Sequence, residues 1–108
     1  MKQHELKIWS EPFRAVVDGS KRYELRSFDR DYEVGDVLHL REFVPHEACG
    51  GTGRVWDNGD MCACGCEPPH GTYTGQEIRA RVTYMTKPGP WGLPSGLCVM
   101  SIEVEGLA

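Results

Sequence analysis

Polar and apolar positions alternate along several stretches of this chain, and the period changes once, near the start. Residues 4–9, His-Glu-Leu-Lys-Ile-Trp, alternate with period two, which predicts a first strand. Ser10 follows at an N-cap position, and Pro12 falls in the first turn, where its missing N–H costs nothing. Phe13, Val16 and Val17 recur at three-to-four spacing, the pattern of a short helix with one buried face. Asp18-Gly19 ends it, with the glycine free to take positive φ. A second strand is expected over 21–27. Gly35-Asp36 then marks a turn into a third, over 36–43, with Val37, His39, Arg41 and Phe43 on one face and Leu38, Leu40 and Glu42 on the other.

The pattern fails over 44–75, which holds four of the five cysteines, many glycines and almost no periodic apolar signal. A structureless loop of that length is unusual in a small domain, so the segment is expected either to hold an internal staple or to be mobile. Alternation returns over 76–86, where Ile78, Ala80, Val82 and Tyr84 oppose Arg79, Arg81, Thr83 and Met85. Residues 87–94 read as a loop from their prolines and glycines. A last strand is expected over 97–104, with Cys98, Met100, Ile102 and Val104 on one face. Five strands and one early helix predict a mainly β (α+β) fold, a small barrel forming a single domain over 1–108. No internal repeat or low-complexity tract interrupts it.

Composition fits a small globular domain, with 40% hydrophobic and 26% charged residues. The formal net charge of -4 argues against a sequence-blind nucleic-acid binder and leaves room for a locally basic pocket. No apolar run reaches the length of a membrane span, and the first seven residues lack the apolar stretch of a secretory signal. The expected location is the cytoplasm, where thiols stay reduced.

Three motifs carry a family resemblance. Gly19-Ser20-Lys21-Arg22-Tyr23-Glu24-Leu25-Arg26 fits a G-x-K-x-x-E-x-R signature after a short helix. Tyr32 to Leu38 places an aromatic residue before a Gly-Asp turn into a strand, and Trp91-Gly92-Leu93 with Gly96 precedes the closing strand. Together they resemble the ASCH branch of the PUA-like β-barrels, in particular an ASCH-related family of unknown function from bacteria and phages. The resemblance implies a barrel with a cleft, lined by the signature residues and suited to RNA or a nucleotide. One class of relatives, the acetylcytidine amidohydrolases, has Lys at the position of Lys21. It has Thr where this chain has Glu24, and it uses a Glu where this chain has only the Pro/Gly loop. Two of three catalytic positions therefore depart from the enzyme pattern.

Read physically, Glu24 and Arg26 share one strand face, and Lys21 sits at the helix-to-strand corner. A carboxylate between two cations could accept a hydrogen bond from a base amino group while Arg26 or Lys21 holds a phosphate or carbonyl oxygen. The competing expectation is a surface ion pair, which contributes about 0–1 kcal/mol. Tyr32 and Trp91 are the candidate stacking residues, with Trp91 preferred because it lies in a Pro/Gly loop; for Trp9, core packing competes. Arg79 and Arg81 are expected on a solvated sheet face.

His46-Glu47-Ala48-Cys49-Gly50-Gly51-Thr52-Gly53 resembles the C-x-x-C-G-G-T-G knuckle of zinc-binding chaperone modules, with His replacing the first Cys. Structural zinc takes four N or S ligands. The expected set is His46, Cys49, Cys62 and Cys66, with Cys64 or His70 as alternatives. Four protein ligands leave no open position, so the ion is expected to order the loop and take no part in catalysis. Cys98 faces the expected core as a packed thiol. His4 and His39 receive no role.

Three functions follow as expectations. The first is an RNA- or nucleotide-binding module. The second is an amidohydrolase of an acylated nucleoside, with Lys21 and Glu24 catalytic. The third is an adaptor that meets an unnamed protein partner through the zinc knuckle. None involves a membrane.

Overall fold

Alternation becomes strand where one face is buried. In chain order the elements are β1 (Gln3–Trp9), α1 (Ser10–Asp18), β2 (Tyr23–Ser27), β3 (Val37–Pro45), β4 (Arg54–Asp57), β5 (Asp60–Ala63), β6 (Gly71–Thr86) and β7 (Leu97–Leu107). The structure, a computed structural model, describes residues 1–89 and 91–107. Pro90, within the loop expected over 87–94, lies outside the described residues; the rest of that loop has neither helix nor strand.

The principal sheet runs β1-β3-β6-β7-β2, with β1 parallel to β3 and the other pairs antiparallel. It curls into a half-barrel. The fold is mainly strand and its main sheet has the five expected members. The barrel stays open between β1 and β2, which stand at the two ends of the order. Leu6, Ile8, Leu38, Leu40, Ile78, Ala80, Val82, Cys98, Met100 and Ile102 form the core, with Phe13 and Val16 of α1 packed onto it. Cys98 is the packed thiol expected of it, and burial pushes its pKa up.

Helix α1 begins one residue early. Trp9 occupies the N-cap with extended backbone and no side-chain cap, so Ser10 is already helical. Gly19 closes the helix at φ 85, left-handed as its place after Asp18 requires. Phe13 and Val16 are buried, while Val17, expected beside them, is exposed. Tyr84 also departs from its expected face. The register shifts between Val82 and Tyr84, where Thr83 is an extra residue opposite β7, and the bulge turns Tyr84 outward and Met85 toward the core.

The segment 44–75 is more regular than its composition suggests. β3 runs on to Pro45 and β6 starts at Gly71, and these two residues pair. Within the segment, β4 and β5 form a separate hairpin around Asn58 and Gly59, both at positive φ. Phe43 joins this lobe to the sheet. It is fully buried outside the main core, with Tyr73 edge-on at 5.1 Å and Gly71 packed directly against its ring. Arg81 pairs with Glu103 and Glu105 on the outer face, as expected of a solvated strand surface.

Candidate functional site

Gly19 turns the chain out of α1, and Lys21 N donates to Ala15 O at 3.0 Å, which fixes the corner that leads into β2. From Tyr23 onward the strand alternates, so Glu24 points inward while Tyr23 and Leu25 point out. Glu24 is 3% exposed. Lys21 Nζ lies 2.6 Å from its Oε1, and Arg26 Nε lies 2.6 Å from its Oε2. The ammonium also donates to Tyr23 O at 2.7 Å. The guanidinium donates from NH2 to Lys7 O at 2.8 Å, linking β2 to β1 across the open side of the half-barrel. The surface ion pair weighed above is therefore replaced by a triad with a buried carboxylate at its centre.

The three side chains converge on one concavity of about 370 Å³, the seam between the two end strands. Its walls come from Lys7, Ile8 and Trp9 of β1, Pro12 of α1, and Tyr23, Leu25 and the triad. Trp9 is 52% exposed there, and Tyr23 is half exposed with the Lys21 ammonium 4.8 Å from its ring centre. Of the three stacking candidates Trp9 lines the groove, joined by Tyr23, and Tyr32 and Trp91 do not. Tyr32 is 1% exposed, packed on the His4 ring at 4.7 Å, and has no face left for a ligand. Trp91 is 83% exposed and lies outside the lining of the groove. Tyr23 was readable as an outward residue of β2; that β1 would return to face it was not.

His4, given no role from the sequence, belongs to a second buried polar group. Its Nε2 lies 2.8 Å from Asp36 Oδ2, and Asp36 also accepts from the backbone N–H groups of Lys2 and Glu33, each at 3.0 Å. This knot closes the loop between β2 and β3 over the core. His39 has its Nε2 buried without a partner among the described residues, and nothing in the structure gives it a function.

The lobe brings together His46, Cys49, Cys64 and Cys66, whose ligand atoms all lie within 4.8 Å of one another. Cys49 Sγ is 3.5 Å from His46 Nδ1 and 3.6 Å from Cys66 Sγ, and Cys64 Sγ is 3.4 Å from His46 Nδ1. These three separations are close to those of ligands sharing one ion, which are about 3.6–3.8 Å apart when each lies about 2.1–2.3 Å from it. The cluster could hold a metal ion. Cys64, the alternative, stands where Cys62 was expected. Cys62 is inside β5, and its thiol reaches the backbone oxygen of Asp60 instead. Cys64 lies past the strand end, where its N–H donates to Gly53 O. His70 stands beside the four, with Nδ1 3.3 Å from Cys66 Sγ.

Cys49 and Cys66 are shifted in opposite directions. At Cys49 burial raises the pKa, but backbone N–H groups of Gly53 and Gly51 and the contacts with His46 and Cys66 outweigh it, bringing the thiol down to about 6. Burial and the neighbouring Cys64 and Cys49 push Cys66 up to about 12. Packed thiols resist joint ionisation unless a cation joins them, which is the condition a metal supplies.

Comparison with known proteins places no activity beside this geometry. The family described as a domain of unknown function, DUF3850, matches residues 3–102. An uncharacterized 12.9 kDa protein in the GpA 3′ region of Escherichia phage P2 is 32% identical over 90 residues, 83% of this chain. The matched stretch covers 60% of that relative's length. Among the described residues no helix is long and apolar enough to cross a membrane.

Proposed function

The chain belongs to the DUF3850 family of domains of unknown function, and we propose that the groove between its end strands binds a nucleotide or an RNA base. One observation carries the reading: Lys21, Glu24 and Arg26 meet in a single concavity beside two exposed aromatic rings. Stability alone does not call for such a triad, because apolar residues can replace buried ion pairs without loss. The triad instead supplies a fixed positive surface, and Trp9 and Tyr23 supply faces for a flat heterocycle. The similarity of the segment Gly19 to Arg26 to the ASCH signature supports the same reading.

The structure changes how that site would work. Both oxygens of Glu24 are engaged by cations and the side chain is almost fully buried, so it orients Lys21 and Arg26 and does not itself meet the ligand. The same engagement counts against the amidohydrolase reading, in which Glu24 would have to move protons. Release of acetate from acetylcytidine is the assay for that reading, and turnover unaffected by Lys21→Ala would exclude its mechanism.

The test of binding is titration with nucleosides, 5′-mononucleotides and short RNAs, followed by tryptophan fluorescence, with Trp9→Phe identifying the reporter. Saturable quenching that disappears in Trp9→Phe is the expected result. Silence from every ligand up to millimolar concentration would rule the reading out. In the lobe, one imidazole and three thiolates are the donor set of structural zinc, and we assign zinc to it. These four ligands would hold the ion with no open position, which makes its contribution one of folding. A role for the lobe in meeting a protein partner, and a cytoplasmic location that keeps its thiols reduced, belong to the same proposal.

A further inference from the structure

We propose that the ligand is a single-stranded polynucleotide, whose chain passes over Lys21 from the groove into a second hollow; this rests on the nucleotide reading of the groove. The second hollow, of about 480 Å³, lies on the other side of the same corner, between α1 and β7. Val17, Ile102 and Val104 give it an apolar floor, Thr83 and Arg22 a polar rim, and Lys21 is common to both concavities. Val17 and Val104 are both about half exposed, although each sat on an expected buried face. Among the described residues no side chain covers them.

Counting donors gives the chemistry of what does. Lysine has three N–H donors; Lys21 has given one to Glu24 and one to Tyr23 O, and one remains. Arginine has five; Arg26 has given two, to Glu24 and to Lys7 O, and three remain. Among the described residues Arg22 has given only its Nε, to Gly19 O at 3.2 Å, and four remain. Glu24 is buried, so its remaining lone pairs do not face the ligand. The cations on both sides of the corner therefore keep N–H groups to give, Arg26 and Lys21 on the groove and Lys21 and Arg22 on the second hollow.

A nucleoside would leave most of these donors unused, and a mononucleotide would leave Arg22 facing an empty hollow. A strand with a base between Trp9 and Tyr23, a phosphate at Lys21 and the next nucleotide over Val17 and Val104 uses all three cations. Glu103, also on the second wall, lies 3.6 Å from Arg81, a cation it shares with Glu105, so the phosphate is placed at Lys21 and Arg22 and away from Glu103. The net charge of -4 fits a short site of this kind better than a long electrostatic track.

The experiment compares 5′-mononucleotides with tetranucleotides, RNA and DNA in separate arms, on the full chain by calorimetry. The tetranucleotide should bind about fivefold tighter or more, the gain from one further packed nucleotide. Arg22→Ala and Val104→Glu, both at exposed positions, should bring the ratio of the two affinities toward one. A tighter RNA arm or a tighter DNA arm identifies the source of the strand. A ratio near one in the unsubstituted protein, or a ratio that neither variant changes, overturns the inference while mononucleotide binding still upholds the groove. If neither ligand binds, both readings fall together.

Discussion

Glu24 and Asp36 are both acids with almost no exposure, kept in different company. Glu24 sits between an ammonium and a guanidinium, whereas Asp36 is held by two backbone N–H groups and the ring of His4. Glu24→Gln takes the common anchor from two cations. We expect a loss of about 2–3 kcal/mol in urea unfolding, the worth of hydrogen bonds to a charged group, with weaker nucleotide binding under conditions where circular dichroism shows the variant folded. Asp36 gives a pH signature. Burial raises its pKa, but the hydrogen bonds from His4, Lys2 and Glu33 outweigh this and hold it below the ordinary carboxylate value. A lowered native value means that the stabilisation is complete above the unfolded value of about 4 and is lost as pH falls through the native one. Asp36→Asn should therefore cost about 2 kcal/mol at pH 7, and its deficit against the unsubstituted protein should shrink progressively as pH falls below the unfolded carboxylate value of about 4. A deficit that stays constant with pH would assign the effect to packing and not to charge.

Strands were legible where one face is buried, which covers β1, β2, β3, β6 and β7. The hairpin of β4 and β5 gave no alternation because Trp56 and Met61 are exposed at its cross-strand pair and no core demands a pattern. Its available signal was Asn58-Gly59, the two-residue turn that takes positive φ at both positions. The bulge at Thr83 was hidden for another reason: a register shift is set by the partner strand, and β6 alone does not encode it. The groove was half legible. Parity put Glu24 and Arg26 together, but no local pattern told that the edge of β1 would supply Trp9 and Lys7. The same limit confused Cys62 with Cys64, since the choice depends on where β5 ends. Cys64→Ser should abolish stoichiometric zinc in metal analysis of the purified protein, while Cys62→Ser should retain it; equal loss in both would remove Cys64 from the ligand set. Gly71→Ala tests the joint between lobe and sheet. A Cβ there collides with the Phe43 ring and Val44 O, so unfolding should shift by about 2 kcal/mol or more. Gly65→Ala, which meets nothing within 4 Å, is the matched control.

With zinc assigned to the lobe as proposed, the half-barrel and the cysteine lobe draw on separate sources of stability. Every member of the main core lies in β1, α1, β3, β6, β7 or at Tyr32, outside 46–70. Within 46–70, among the described residues, Cys49 is the one buried apolar side chain, and it is a metal-ligand candidate. The lobe is tied to the sheet by the Pro45–Gly71 pair, by His46 N donating to His70 O at 2.8 Å, and by Phe43 beneath it. Zinc binding in small cysteine-rich modules is worth roughly 10–16 kcal/mol, far more than this lobe can draw from apolar burial. Its removal should open the lobe without melting the sheet. After chelation, amide exchange over 46–70 should rise sharply and trypsin should cut at the exposed Arg54, while amides of β1, β3, β6 and β7 keep their protection. Both changes should reverse when zinc is returned. Loss of protection across the central strands on chelation would show instead that the metal holds the half-barrel together through Phe43, and that the two parts form one cooperative unit.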